Sequence, residues 1–191
     1  MLELSALGLL QRQPLHGYRL KQQLELFMSG CISVNYGAIY PLLKRLQERG
    51  EIVAIGEEES ESGPCRKIYS ITAKGRARWR QKMLEQPRES WVNSRSRFAI
   101  KFFFFGDLEV AERVKLLEHR LAACRQRYES VGNQVLAADP YRSEAWKRHL
   151  AMVEGEIQWL AEQLAVEKTG GRGKPRATAS EQHLEAEIAR R

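Results

Sequence analysis

At Gly50 the hydrophobic period of this 191-residue chain changes from that of a helix to that of a strand. Before it, "NYGAIYPLLKRLQERG" (35–50) sets Ile39, Leu42, Leu43 and Leu46 at i, i+3, i+4 and i+7, one face of an α-helix. Gly50 stands where a C-terminal stop belongs. After it, "EIVAIG" and "RKIYSIT" are short β-branched and aromatic runs, separated by the polar turn "EEESESGPC". That is a hairpin. Two helical stretches come earlier: Leu2, Leu4, Ala6, Leu7, Leu9 and Leu10 before Pro14, then "HGYRLKQQLELF" with Leu20, Leu24 and Phe27 on one face. Thr72 precedes a further helical stretch, Ala73 to about Glu85.

Three helices followed by a two-stranded hairpin predict a winged helix-turn-helix over residues 1–85. Its second and third helices form the pair and the hairpin is the wing. "QPRESWVNSRSR" (86–97) has no clear period and reads as a linker. From Val110 the spacing alternates four and three through Val114, Leu117, Leu121, Cys124, Tyr128, Val131, Val135 and Ala138, as in a coiled-coil seam. "ADPYRSE" breaks it at Pro140, and Trp146, Leu150, Val153, Ile157, Leu160 and Leu164 repeat it. Residues 98–166 therefore read as a helical domain built on a hairpin of two long helices. Each apolar stripe is narrow, so another helix must cover much of the seam. Residues 167–191, rich in Gly, Pro, Lys and Arg at their start, read as a disordered tail. The fold class is mainly α with a small β-hairpin wing.

A net charge of +7 favours polyanionic partners. No apolar run approaches the roughly 20 residues that span a bilayer, so no membrane partner is expected. The N-terminal "MLELSALGLLQRQ" lacks the basic start of a secretory leader. Cys31, Cys65 and Cys124 are scattered and form no CxxC pair, which suits reduced thiols and a cytoplasmic protein with no metal site. His16, His119, His149 and His183 are equally dispersed. With no nucleophile elbow, phosphate-cradling glycine loop or metal-ligand cluster, neither catalytic residues nor a cofactor are expected, and the chain does not read as an enzyme.

"PLHGYRLKQQL", "YGAIYPLLKRLQERGEI" and "GPCRKIYSITAKG" together resemble the PadR family of transcriptional regulators, in the family's order and with suitable gaps. "FAIKFFFFGDL" onward resembles the helical dimerisation domain of its virulence-activator subgroup. The resemblance implies a dimeric DNA-binding regulator, usually a repressor and in this subgroup sometimes an activator, often relieved by a small molecule. It also implies that the tract holding Gly37 and Pro41 is helical, although an interior proline costs about 3 kcal/mol. We expect a helix from about Asn35 with a slight bend; the alternative starts the regular helix near Tyr40, with Pro41 at its first position.

A helix-turn-helix presents the N-terminal part of its second helix to major-groove base edges. Small residues such as Gly37 allow close backbone approach there. Tyr36 and Tyr40 can offer a hydroxyl to a phosphate or base edge and a ring to a thymine methyl. Asn35, and more weakly Ser33, can cap the helix or read adenine. Lys44, one turn beyond Tyr40, suits a phosphate. The bland alternative packs both tyrosines against the wing. In "HGY", Tyr18 either helps hold a phosphate at a helix N-terminus or packs in the core. Arg66 and Lys67 on the returning wing strand suit the DNA backbone or minor groove, whereas the acidic stretch from Glu57 to Glu61 keeps the wing tip off phosphates.

Dimerisation is expected through Val114, Leu117, Leu121 and Tyr128 on one helix and Leu150, Val153, Ile157 and Leu160 on the other. "FFFF" reads as a buried plug where the linker enters the helical domain. By the resemblance, a small aromatic effector can sit between subunits, against Trp91, Trp159 or the Phe102–Phe105 cluster. The leading reading is a sequence-specific repressor binding an inverted repeat of double-stranded DNA as a homodimer. The alternative is a winged-helix module that binds protein and modulates another regulator.

Overall fold

The computed structural model describes residues 1–28, 36–60, 63–132 and 139–170. The chain divides into two compact units, the first formed by residues 1–104 and the second beginning at Phe105. The fold class is as expected: mainly helical, with a small antiparallel sheet in the first unit.

Helix α1 (Leu2–Arg12) buries Leu4, Ala6, Leu7, Leu9 and Leu10 and lies at the centre of the first unit. Gln13 leaves it in extended conformation, as a residue before proline must. Strand β1 (Leu15–His16) and helix α2 (Gly17–Met28) follow, with Leu20 and Leu24 buried. A single 3-10 turn, Tyr36–Ala38, leads into α3 (Ile39–Glu48). Its leucine face is the one the period indicates: Ile39, Leu42, Leu43 and Leu46 are all buried. Full burial contributes about 1.5–3 kcal/mol for each such side chain.

The bent helix from about Asn35 is not what forms. The α-helix begins at Ile39, so Pro41 occupies its first turn, where backbone N–H groups have no intrahelical acceptor in any case. The missing donor therefore costs little. At the other end Gly50 adopts φ +70°. Its N–H donates to the Gln47 carbonyl (2.9 Å) and that of Glu51 to the Leu46 carbonyl (2.9 Å), a Schellman closure that favours glycine.

Strands β2 (Ile52–Ser60) and β3 (Gly63–Ile71) form the wing, with Ile52 opposite Ile71 and a register shift between Ala54 and Gly56. The sheet has one strand more than the sequence indicates. β1 pairs with β3, Leu15 opposite Tyr69 and His16 opposite Ile68, in the order β1-β3-β2. Two residues are too few to show a period. Helix α4 (Ala73–Leu84) is capped by Thr72, whose Oγ1 accepts from the Gly75 N–H (3.1 Å) and donates to the Gly50 carbonyl (2.7 Å). A Cβ at Gly75 would lie 2.0 Å from the Glu51 carbonyl oxygen, so only glycine lets α4 start this close to the end of α3.

The expected linker 86–97 is helical over half its length: α5 (Trp91–Phe103) starts at the Ser90 cap, whose side chain accepts from the Asn93 N–H. It belongs to the first unit, not to a helical domain opening at residue 98. Lys101 Nζ donates to the Glu85 carbonyl at the end of α4. Phe104 is fully buried, edge-on to Trp79, and a Cβ at Gly8 would meet its ring at 2.6 Å. The "FFFF" run is thus divided, with Phe104 in the core of the first unit and Phe105 buried in the second.

The second unit holds α6 (Val110–Gly132) and α7 (Pro140–Lys168). Asp139 caps α7, its carboxylate accepting from the Arg142 N–H (3.0 Å), with Pro140 at the first position. Ion pairs join early α6 to late α7 and later α6 to earlier α7, so the two helices run antiparallel. α7 continues through Glu167, which is buried, so the tail begins later than residue 167. Residues 171–191, expected to be disordered, lie outside the described residues.

Candidate nucleic-acid interface

Three elements of the first unit, α2, α3 and β3, bring Tyr18, Tyr40 and Arg66 together among the expected DNA-facing side chains. Tyr40, 61% exposed, projects from the first turn of α3. Its ring lies over Gly17, where a Cβ would be 2.9 Å from Cε1. Tyr18, the next residue, is 44% exposed, so it is not a core side chain. Its ring is stacked with His16 (centroids 6.3 Å apart, planes at 9°), and the Arg66 guanidinium covers it at 5.1 Å from the centroid. A cation over a tyrosine face at an exposed site contributes about 0.5–1 kcal/mol. Wing and helix-turn-helix therefore meet through Arg66 and Tyr18.

Lys44 is exposed on α3, 4.0 Å from Glu48. Lys67 is exposed on β3, directly opposite Glu57, while Glu58 stands opposite Arg66. Gly37 lies exposed in the 3-10 turn that Tyr36 opens. Ser33 and Asn35 lie outside the described residues.

Two side chains at this surface went unrecognised in the sequence. His16 Nδ1 accepts the Arg19 N–H (3.1 Å) and so caps α2, a task usually given to Ser, Thr, Asp or Asn. Tyr69, on the central strand, is the other. Burial, and then the neighbouring Tyr40 phenol, push its hydroxyl above the ordinary tyrosine range. The His16 cap is local, but histidine is an uncommon cap and gave no signal; the setting of Tyr69 comes from the sheet, which places it on the central strand.

Behind this surface Glu3 gathers three cations: Arg49 (3.2 Å), Arg78 (3.4 Å) and Lys82 (3.4 Å). Arg49 also reaches Glu51 (2.9 Å), tying α1, α4 and the end of α3 together. Among the described residues no group of His, Cys, Asp and Glu is placed to hold a metal ion, and no helix is long and apolar enough to cross a membrane.

Residues 6–81 match the family model of the Transcriptional regulator PadR-like family. A PadR-like transcriptional regulator of known structure from Bacillus cereus is 34% identical, over 42% of this chain and 75% of its own, with a TM-score of 0.34. The chain belongs to the PadR-like family. PadR of Bacillus subtilis in complex with operator DNA is 21% identical over 87% of this chain and 98% of its own (TM-score 0.44). The same protein in complex with p-coumaric acid aligns at 19% identity over 87% and 98% (TM-score 0.40). None of the curated proteins matches the chain.

In this PadR-like chain the residues expected to form the dimer seam divide by burial. Leu117, Leu121, Val153 and Leu160 are buried within the single chain. Val114, Leu150 and Ile157 are half-buried, and Tyr128 is exposed. Arg120 reaches Glu156 (2.7 Å) through both Nε and Nη2. Arg113 Nε lies 3.1 Å from Glu167, close enough for an ion pair although not aligned as a hydrogen bond. Both pairs are largely shielded from water, and removing one partner of such a pair typically costs about 3–5 kcal/mol. Of the side chains suggested for an effector site, Trp91 starts α5 in the first unit and Trp159 stands 37% exposed on α7 in the second.

Proposed function

We propose that this protein is a homodimeric, sequence-specific DNA-binding repressor that recognises an inverted repeat. The observation that carries the reading is the continuity of Tyr40, Tyr18 and Arg66: an exposed tyrosine on the reading helix, a second at the adjoining helix start, and the wing arginine over its ring. In this reading Tyr36, Gly37 and Tyr40 approach base edges, with Ser33 and Asn35 before them. Lys44, Arg66, Lys67 and Tyr18 hold phosphates. Dimerisation uses the second unit, through the side chains that the α6–α7 hairpin leaves partly open, Val114, Leu150 and Ile157 with Tyr128 and Trp159. Two copies on a two-fold axis then engage half-sites about one helical turn apart.

The release of repression by an aromatic effector belongs to the same proposal. Phe103, half-exposed, lines an open groove of the first unit with Leu9, Arg12, Gln13, Gln23 and Leu26, and the Arg12 guanidinium lies 5.2 Å from its ring centroid. The competing reading, a protein-binding winged helix, draws on Val53 and Ile55, both exposed on the edge strand β2.

The test is selection of a preferred duplex from a random pool by the full chain, followed by competition against scrambled duplex over a range of salt. A preference for a palindrome by a dimer in sedimentation supports the proposal. Binding that is equal for all duplexes leaves the protein-binding module. Tyr40→Ala should weaken specific more than nonspecific binding, whereas Lys44→Ala should weaken both and flatten the salt dependence by about one unit of slope.

A further inference from the structure

Gly17 occupies the first position of α2, and its φ is not positive, since among the described residues the positive-φ glycines are Gly50 and Gly170. The backbone there accepts alanine without strain, and alanine is the better helix former. What requires glycine is space. A Cβ would lie 2.9 Å from Tyr40 Cε1, closer than real Cβ atoms come to another atom, and 3.3 Å from Leu43 Cδ1. Leu43 is buried in the core and hemmed in, whereas Tyr40 is exposed and can swing outward.

Side chains on a helix's first turn are ordinarily free to rotate, and an exposed tyrosine that must meet a base edge loses rotamer freedom on binding. A slot that fixes the ring beforehand removes that loss and keeps the ring in one geometry.

We infer that Gly17 is a positioning residue that leaves, beside the buried Leu43, a slot for the Tyr40 ring, and that this slot sets how selectively the protein discriminates among duplexes. The inference rests on the DNA-reading role proposed for Tyr40. It differs from a general structural role in a specific way: the effect of Gly17 must pass through Tyr40.

The experiment uses the full chain and the duplex selected by the wild type, read as the affinity ratio of that duplex to a scrambled one at fixed salt. Gly17→Ala should lower the ratio by about tenfold, the equivalent of one impaired base contact. In a Tyr40→Ala background the same change should have no effect. Equal losses with and without Tyr40, or no loss at all, would overturn the inference. The slot itself is checked without DNA in chain labelled with 3-fluorotyrosine. The Tyr40 resonance, assigned by Tyr40→Phe, should shift in Gly17→Ala; an unmoved resonance also overturns the inference. A resonance that shifts while Tyr40→Ala leaves the affinity ratio unchanged would retain the slot, refute its role in selectivity and remove Tyr40 from the reading surface.

Discussion

The Arg66 guanidinium lies 5.1 Å above the ring of Tyr18, joining the returning strand of the wing to the first turn of α2. The Arg66 charge is therefore held beside the helix-turn-helix while its side chain stays exposed. Replacing Arg66 and Lys67 together by alanine should lower affinity roughly uniformly across duplexes and reduce the salt slope by about two units, one for each phosphate contact. Arg66→Lys keeps the charge but stacks less well, and should lose less. A change in which bases are preferred, measured by repeating the selection with the double variant, would show that the wing reads sequence.

Lys101 offers a pH-dependent signature of folding. It is 4% exposed, and burial, followed by the charge of Arg97, lowers its ammonium from the usual 10.5 to about 8. Between these two values the unfolded chain binds the proton more tightly than the folded one, so stability should rise with pH from about 8 towards 10.5. Below pH 8 the charge is buried in full. Lys101→Met should stabilise the protein at neutral pH by about 1–3 kcal/mol and remove that rise. Urea melts of both proteins at pH 7 and at pH 10 test this.

Glu3 gives the opposite sign. Burial acts to raise its carboxyl, but the hydrogen bond from Arg49 and the charges of Lys82 and Arg49 outweigh it and hold it below the ordinary carboxylate value of 4.5. Its contribution is present above that value and is lost as pH falls through the lower, folded one. Glu3→Gln should cost about 1 kcal/mol at neutral pH, because the site is partly screened by water. It should also flatten the acid side of the stability profile, as followed by thermal melts between pH 6 and 3.

The burial of the second unit separates packing from assembly. Leu117 is 0% exposed, so Leu117→Glu should unfold the α6–α7 hairpin, at a cost of several kcal/mol for a buried, unpaired charge. Trp159 is 37% exposed, so Trp159→Glu should leave helicity unchanged and convert dimer to monomer, with a matching loss of operator affinity. Circular dichroism and sedimentation on the same samples distinguish the two. A dimeric Trp159→Glu protein would place the interface elsewhere.

The features that depend on neighbours along the chain could be read directly from it. The leucine face of α3, the Gly50 stop, the helix that follows Thr72 and the break at Pro140 rest on residues at most a few positions apart, and the structure contains each of them. The motifs around them were enough to indicate the family. What required the tertiary structure are contacts between distant segments. β1 exists only because β3 lies beside it, and its two residues carry no period of their own. α5 lies in the first unit, and Phe104 in that unit fills the space above Gly8. Arg113 and Arg120 stand a heptad apart on α6, where sequence alone would place them in solvent, yet Glu167 and Glu156 meet them from α7. The setting of Tyr40 was decided in the same way. Its place on α3 follows from local spacing, whereas its ring's position depends on the missing Cβ of Gly17, which packing alone brings to it.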